Sequence, residues 1–375
     1  MVGYTIIVLV TTLIAVAYQN TNNKRFFFFL MVAFPSFFSG FRKVGTDYYV
    51  YLERFHYLGS GSKFSIEGTD LTGPFYILLK SVGQIFGNYQ IAICLIAIIT
   101  IFVAFYLICQ HEDEISIPVA VFSYMTTFYF LSFNIFRQCL AAEIYALGVF
   151  LIIKRKEKKR GGIALICAVL LHSSVLPFAL STVILSWISE DSKKKIRFLV
   201  YAMFFVGVVS LPEMKIITAK LLSALPHYAF YFLNFNYNGI GIGVFRYIFL
   251  VIVVSIILKC AGFLSDKVYV AYTFLAIIGT ILTWLSYVST TFIYRIGYIG
   301  LVFLPVLHGY FSKKFLAVYR NRGSFQITCR NTSIGIMGAV FTFGLLVILF
   351  FFFWYDYIYL NSGEILPYSI CYFMK

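Results

Sequence analysis

The sequence contains few charged residues. Only 12% of its 375 residues are Asp, Glu, Lys or Arg, whereas 61% are hydrophobic and 20% are aromatic. Soluble domains carry about 25% charged residues, so this composition excludes an ordinary water-soluble protein. About ten or more windows between Gly3 and Trp354 reach the roughly 20 mostly apolar residues that a bilayer crossing requires. We therefore expect an all-α polytopic integral membrane protein with about 10–12 transmembrane helices and some re-entrant or interfacial segments.

Acidic residues are scarce, with 15 against 30 basic ones, which gives a formal net charge of +15. Such a balance can indicate nucleic-acid binding. The positive charge, however, is concentrated in short segments that flank apolar spans, at residues 154–160, 190–197 and 312–332. Because cytoplasmic loops of membrane proteins accumulate Lys and Arg, we interpret these segments as cytoplasmic and expect no nucleic-acid partner.

Metal-binding and nucleotide-binding motifs are missing as well. The seven cysteines are scattered, mostly within apolar spans, without a CxxC pair or a ligand-like spacing to histidine. The sequence also lacks a P-loop, a GxSxG, an HExxH and a dinucleotide fingerprint. It therefore gives no support for ATP-driven transport or for serine or zinc hydrolysis, and we expect neither a metal nor a cofactor.

What is present is a consistent topology signal. Lys24 and Arg25 follow the first apolar span, which predicts a cytoplasmic position for both. The next span then runs outward and places residues 42–72 on the external side. A second external loop is expected at residues 212–243, and its length suggests a functional role. We expect residues 1–375 to form a single transmembrane domain.

Two segments are unsuited to a simple crossing. Residues 73–87 are short for a span and include Lys80 and Gln84, so we interpret them as interfacial or re-entrant. Residues 161–189 are expected to enter and return, with a bend near "HSSVLP", because this keeps the later basic segments in the cytoplasm. The other spans are expected near residues 89–109, 117–133, 136–153, 197–211, 244–258, 268–288, 294–311 and 334–354.

Arginines are predicted at or near the external ends of four spans. They are Arg42, Arg137, Arg246 and Arg295. An arginine close to a span is unfavourable unless it is paired or hydrated, which makes it a functional hypothesis by default. One interpretation is that each side chain extends to the lipid headgroups. The other is an external site for a lipid diphosphate, since a planar guanidinium binds phosphate oxygens in a bidentate fork.

Polar neighbours at helical spacing accompany these arginines. In "FNIFRQCLAAEIYAL" a helix would place on one stripe Asn134, Arg137, Gln138 and Ala141. In "YRIGYIG" Arg295 and Tyr298 lie one turn apart. These patterns place polar groups beside the proposed phosphate-binding side chains.

The stretch "FSGFRKVGTDYYVYLERF" is the most polar part of the first third of the chain. A helix from Asp47 would align Asp47, Tyr51 and Arg54 on one face, with Tyr48 on the adjacent face. It is either a juxtamembrane helix with an aromatic belt or one wall of the external site. A carboxylate near a sugar and arginines could act as a general base towards an acceptor hydroxyl.

His172, in "LLHSSVLPF", is the histidine deep in an apolar segment. Such a histidine is either hydrogen-bonded to a neighbouring helix or part of a functional pocket. Its position at the predicted bend favours the second interpretation, while the first remains open.

Four motifs together resemble one known family. "FRKVGTDYYVYLERF", "FNIFRQCLAAEIYALGVFLI", "LLHSSVLPF" and "YRIGYIGLVFLP" occur in the order and spacing of the EpsG-like branch of the Wzy O-antigen and exopolysaccharide polymerases. The resemblance implies a GT-C-like glycosyltransferase of the bacterial plasma (inner) membrane, working on its periplasmic or outer face. It would transfer a growing glycan from undecaprenyl diphosphate onto a newly flipped lipid-linked repeat, without a cofactor.

The resemblance also implies partners and residue roles. The expected partners are the lipid-linked oligosaccharides, membrane lipid, a chain-length regulator (polysaccharide co-polymerase) and a flippase. Under this hypothesis the catalytic residues are Asp47, Arg137, His172 and Arg295. The resemblance implies substrate binding by Arg42, Tyr48, Gln138 and Tyr298, and the predicted positions of Tyr51 and Arg246 add these two to the substrate-binding residues. Arginines would stabilise the leaving diphosphate, and Asp47 or His172 would take the acceptor proton.

Two other classes of function remain open at this point. A flippase or transporter for lipid-linked oligosaccharides would use the same arginines to line a passage, but it would more naturally show an internal repeat. A membrane O-acyltransferase that modifies the glycan would require a histidine in a tunnel reached from the cytoplasm. Only His172 suits that alternative.

Overall fold

In the computed structural model of the protein, the described residues are 2–59, 73–187, 248–260, 262–264, 266–286, 291–320, 334–361 and 365–366. All regular elements in this part of the chain are helical. The α-helices are α1 (Val2–Asn20), α2 (Lys24–Gly40), α3 (Thr46–Gly59), α4 (Gly73–Phe86), α5 (Tyr89–Cys109), α6 (Ile117–Tyr124), α7 (Phe136–Ile153), α8 (Lys158–Leu171), α9 (Leu176–Trp187), α10 (Val254–Cys260), α11 (Lys267–Ser286), α12 (Thr291–Leu301), α13 (Leu304–Arg320) and α14 (Ile334–Phe353).

Several helices have the length and composition of membrane spans. Four stretches in the described residues are long and apolar enough to cross a bilayer: Gly3–Asn20, Tyr89–Cys109, Phe136–Ile153 and Ala339–Tyr359. Shorter apolar helices cover Phe75–Phe86, Ile117–Phe133, Ser173–Val183, Leu250–Lys259 and Lys267–Thr283. Large apolar side chains on the spans also face outward, as lipid contact requires. The prediction of an all-α polytopic membrane protein is confirmed, and its count of about 10–12 spans stays a prediction.

The predicted spans at 89–109 and 136–153 are confirmed as α5 and α7. The start of α5 is fixed by Asn88, whose side chain accepts a hydrogen bond of 2.8 Å from the Gln90 backbone N–H. A side-chain acceptor of this kind satisfies one of the unpaired donors at a helix start. The expected crossing at 117–133 is less regular, because α6 continues into a π-helical segment (Met125–Tyr129) and a 3-10 turn (Leu131–Phe133).

One predicted span consists of two helices instead of one. Residues 294–311 were expected to form one helix, but α12 ends at Leu301 and α13 begins at Leu304. Pro305 explains the interruption, since it lacks a backbone N–H and its ring would clash with the carbonyl four residues earlier. Helix α13 then continues to Arg320, so the start of the predicted cytoplasmic segment 312–332 is helical.

The helix is also interrupted where the "HSSVLP" motif predicts a break. Helix α8 ends at Leu171, a 3-10 turn follows at Ser173–Val175, and α9 begins at Leu176. The helix break is therefore confirmed. The re-entrant path of residues 161–189 stays a prediction, and the predicted loop 212–243 lies outside the described residues.

The chain divides into two compact units. The first comprises Met1–Gly148, Gly162–Ser173 and Leu304–Lys375, and the second comprises Val149–Gly161 and Ser174–Phe303. In the first unit α2 packs on α1 and α5, α3 packs on α4, and α6 packs on α1 and α13. In the second unit α11 packs on α12. The expectation of a single domain over residues 1–375 stays a prediction.

Polar contacts mark both ends of the antiparallel pair α2 and α5. At one end Lys24 Nζ lies 2.7 Å from Glu112 Oε2, just beyond α5. At the other end the Gln90 side chain donates to the Arg42 carbonyl at 3.2 Å. Lys24 and Arg42 therefore lie at opposite ends of this pair, as the predicted topology requires.

Candidate functional site

The loop between α2 and α3 is held against the start of α5. The side-chain amide of Gln90 donates to the carbonyls of Gly40 and Arg42, while its oxygen accepts from the Tyr48 hydroxyl at 2.9 Å. The Tyr89 hydroxyl donates to the Tyr48 carbonyl at 3.0 Å. Tyr48, which the sequence predicts to bind substrate, is thus buried and helps to fix the first turn of α3.

Gly45 allows this loop to approach the turn that precedes α7. Its φ is +103°, and a Cβ at this position would lie 2.4 Å from the Phe133 carbonyl oxygen. The next residue, Thr46, donates its backbone N–H to Asn134 Oδ1 at 3.1 Å. Asn134 precedes α7 and binds this loop, so it does not belong to the helical stripe predicted with Arg137.

Arg42 is only 1% exposed and is directed at main-chain carbonyls. Its Nη1 donates to the Ser39 carbonyl and to Ser39 Oγ at 3.1 Å, and its Nη2 donates to the Ser132 carbonyl at 3.2 Å. The guanidinium carbon lies 4.8 Å from the centre of the Phe133 ring. Arg42 therefore joins the end of α2 to the turn before α7, and its predicted substrate contact stays a prediction.

Helix α3 has the face predicted for it and buries that face in aromatic packing. The Tyr51 ring centre lies 4.6 Å from that of Phe136, 5.8 Å from that of Phe75 and 6.4 Å from that of Tyr76. These contacts bring α3, α4 and α7 together. Tyr51, Phe75 and Tyr76 form a group that we call the aromatic cage.

Arg137 projects into the aromatic cage. Its guanidinium carbon lies 5.6 Å from the ring centres of Phe75 and Tyr76 and 5.9 Å from that of Tyr51. Two of its nitrogens, Nε and Nη1, are buried and have no hydrogen-bond partner among the described residues. Since buried donors are normally paired, this arrangement is suited to an external acceptor.

Arg54 reaches the same rings from α3. Its Nη1 donates to the Tyr76 hydroxyl, and its guanidinium carbon lies 5.7 Å from the Tyr51 ring centre and 5.5 Å from that of Tyr76. Within the described parts of the chain, no carboxylate forms an ion pair with Arg54 or Arg137. Among the described residues, the two positive charges therefore lie on shared rings without a carboxylate in ion-pair contact.

The Tyr51 hydroxyl of the aromatic cage is not ionised and does not neutralise the arginines. Burial raises the pKa of the Tyr51 hydroxyl, and the positive charge of Arg137 opposes that effect without outweighing it. Tyr51 consequently stays a neutral phenol at physiological pH. Neutral rings can still hold a guanidinium by cation–π attraction. The rings therefore position the two arginines without neutralising their charge, which remains available to an anionic ligand.

Asp47 lies near Tyr51, and His172 follows a residue that packs on the same cluster. Asp47 is half-buried and precedes Tyr51 by one turn of α3, close enough for its charge to act on that hydroxyl. His172 is half-buried and directly follows Leu171, a residue that packs against the buried cluster containing Tyr51 and Phe75. Asp47, Arg137 and His172, one residue from each of the first three motifs, therefore lie in the first unit. Gln138, predicted to bind substrate, is buried beside Arg137 on α7.

The remaining predicted site residues lie elsewhere. Arg295 and Tyr298 are half-buried residues of α12 in the second unit. Arg246 lies outside the described residues. The glycines of this fourth motif serve helix packing, since a Cβ on Gly297 would lie 2.4 Å from Thr283 Oγ1 of α11.

Sequence reasoning missed Arg54 as a site residue and missed the α4 rings. Arg54 was placed on the Tyr51 face, and that spacing was the available signal. Phe75 and Tyr76 belong to a segment whose pattern indicates only an interfacial helix. Their contact with Arg137 depends on tertiary packing between segments that are distant in sequence.

Comparison with known families agrees with the motif pattern. The model of the EpsG family matches residues 25–370, which is nearly the whole chain. No curated protein and no solved structure matches the chain. All four motifs lie within the matched residues, and the chain therefore belongs to the EpsG family.

Proposed function

We propose that this protein is a glycosyltransferase that polymerises lipid-linked oligosaccharide repeats into O-antigen or another surface polysaccharide. The donor is a glycan on undecaprenyl diphosphate, and the reaction takes place at the outer face of the bacterial plasma membrane. Membership of the EpsG family supports this class of function. The observation that carries the proposal is Arg137, whose guanidinium lies in the aromatic cage. Two of its buried nitrogens have no hydrogen-bond partner in the described part of the chain.

The position of Arg137 suits the leaving group of such a transfer. When the bond to the diphosphate breaks, negative charge develops on the departing oxygen. A fixed guanidinium with open donors stabilises that charge more than it stabilises the ground state, which lowers the barrier. The surrounding rings make the environment of the buried nitrogens less polar than water, which strengthens this electrostatic interaction.

The chemical step is a substitution at the anomeric carbon of the donor sugar. An acceptor hydroxyl oxygen attacks that carbon, and the bond between the carbon and the diphosphate oxygen breaks. The oxygen leaves with the bonding electrons on undecaprenyl diphosphate. The hydroxyl proton passes to the Asp47 carboxylate or to the His172 imidazole.

The sugar diphosphate supplies the driving force, so the reaction requires no nucleotide outside the cell. A flippase that delivers repeats and a chain-length regulator that limits the product are the partners proposed for this step. Arg295 and Tyr298 of α12 are proposed to stabilise the diphosphate and to bind substrate, as the resemblance implies. Arg246 is proposed to bind substrate because it is predicted at the external end of a span.

Reconstitution tests the proposal directly. Purified protein in liposomes, given a lipid-linked repeat, is expected to produce a ladder of polymers on a gel. Translocation of the repeat without a ladder would instead identify a transporter. A repeat that gains the mass of an acyl group from an added acyl donor would identify an O-acyltransferase.

A further inference from the structure

Two arginines from different helices share one pair of tyrosine rings. Arg54 comes from α3 and Arg137 from α7, and the guanidinium carbon of each lies less than 6 Å from the ring centres of both Tyr51 and Tyr76. Tyr51 and Tyr76 are stacked, with centres 6.4 Å apart. The rings thus fix two positive charges in one neighbourhood.

This arrangement is unfavourable without an anion. Like charges repel, and repulsion is stronger in a partly buried site than in water. Tyr51 stays neutral, and no carboxylate of the described residues pairs with either arginine. Arg54 is half-buried, so part of this residue remains accessible.

We propose that Arg54 is a second phosphate-positioning residue, which together with Arg137 clamps the two adjacent phosphates of a diphosphate. Tyr76 positions Arg54 by accepting its Nη1 hydrogen bond. This inference rests on the proposed function. It adds that Arg54, which is not one of the four arginines predicted from the sequence, allows the site to distinguish a diphosphate from a single phosphate.

The charge and shape of a diphosphate suit two guanidinium groups. Each group offers a planar fork of N–H donors, and each phosphate offers oxygens that accept such a fork. A single phosphate satisfies one fork well and leaves the other cation uncompensated. The clamp therefore favours a diphosphate over a phosphate.

Calorimetric titration of the full-length protein in detergent tests the clamp. Wild-type protein is expected to bind inorganic pyrophosphate about tenfold or more tightly than inorganic phosphate. Arg54→Gln is expected to abolish this preference while changing phosphate affinity by less than about threefold. Arg137→Gln is expected to weaken the binding of both anions.

Two further variants separate the role of Arg54 from a general loss of charge or of fold. Lys80→Gln removes a positive charge one turn after Tyr76 on the exposed side of α4, and it is expected to leave the preference unchanged. Tyr76→Phe keeps the ring but removes the hydroxyl that accepts from Arg54. It is expected to reduce the preference by about two- to fivefold in a protein that still folds.

Separate titrations distinguish the source of the diphosphate. Farnesyl diphosphate is expected to bind more tightly than uridine diphosphate if the clamp serves a lipid carrier. Tighter binding of the nucleotide would overturn the lipid assignment.

The clamp and the proposed function fail in different ways. Wild-type protein without a pyrophosphate preference, or Arg54→Gln protein that keeps it, overturns the clamp even if polymer ladders form. Conversely, an Arg54-dependent preference in a protein that forms no ladder supports the clamp and contradicts the polymerase.

Discussion

Arg42 and Ser132 lie 90 residues apart in sequence, yet Arg42 Nη2 donates to the Ser132 carbonyl at 3.2 Å. This hydrogen bond connects the end of α2 to the turn that leads into α7, the helix that carries Arg137. Arg42 therefore helps to fix the position of the turn before α7, and through it the position of the helix that carries Arg137.

Replacing Arg42 should primarily destabilise the fold. Arg42→Gln leaves buried carbonyl groups of Ser39 and Ser132 without their donor, and each such loss costs about 1–3 kcal/mol. We expect a lower melting temperature in detergent, together with reduced polymer. Arg160→Gln is the control, since the Arg160 side chain is 78% exposed. An unchanged melting temperature with lost polymer would instead identify Arg42 as a substrate contact.

Gly45 should tolerate no side chain. Gly45→Ala combines a backbone φ of +103° with a Cβ 2.4 Å from the Phe133 carbonyl. We expect a destabilisation of about 1–3 kcal/mol or more, seen as a lower melting temperature. Gly87→Ala separates the two causes, because its φ is +64° but no atom lies within 4 Å of the added Cβ. Equal losses for the two variants would show that the close approach to Phe133 is unimportant.

Gly297 should matter for the packing of α12 on α11. A Cβ there would lie 2.4 Å from Thr283 Oγ1 and 2.6 Å from the Gly279 carbonyl oxygen. We therefore expect Gly297→Ala to lower the melting temperature and the yield of folded protein. Gly344→Ala, where nothing lies within 4 Å, should be neutral or stabilising by up to about 1 kcal/mol, since alanine favours helices. Equal stability of the two variants would contradict the packing role.

The general base should affect the rate without affecting anion binding. Of Asp47→Asn and His172→Gln, the variant that removes the base is expected to slow polymerisation about 10²–10⁴-fold. Its affinity for pyrophosphate should change by less than about threefold, because the clamp remains intact. Rates close to wild type in both variants would show that the base is another group.

The sequence predicted local structure well where one physical cause dominates. Apolar runs bounded by polar residues defined α5 and α7, and Asn88 supplies the cap that starts α5. The helix break at His172 follows from the neighbouring serines and proline. By contrast, the expected span 294–311 ignored Pro305, whose missing N–H separates α12 from α13.

The candidate site was predicted only in part, because its geometry depends on packing between distant segments. Motif patterns identified Arg137, Asp47 and the Tyr51 face of α3. They carried no information on which rings surround Arg137, and Tyr76 belongs to a helix whose own pattern indicates only an interfacial position. Helical spacing placed Arg54 near Tyr51, but its contact with Tyr76 requires the three-dimensional fold.

Polymer formation by Arg137→Gln protein, in cells and in liposomes supplied with lipid-linked repeat, tests the proposed role of Arg137 in glycosyl transfer. With wild-type amounts of variant in the membrane, we expect polymerisation to fall about 10²–10³-fold or more, leaving single lipid-linked repeats. Arg160→Gln protein should produce a normal ladder. Normal long chains from Arg137→Gln protein would show that Arg137 does not stabilise the leaving diphosphate.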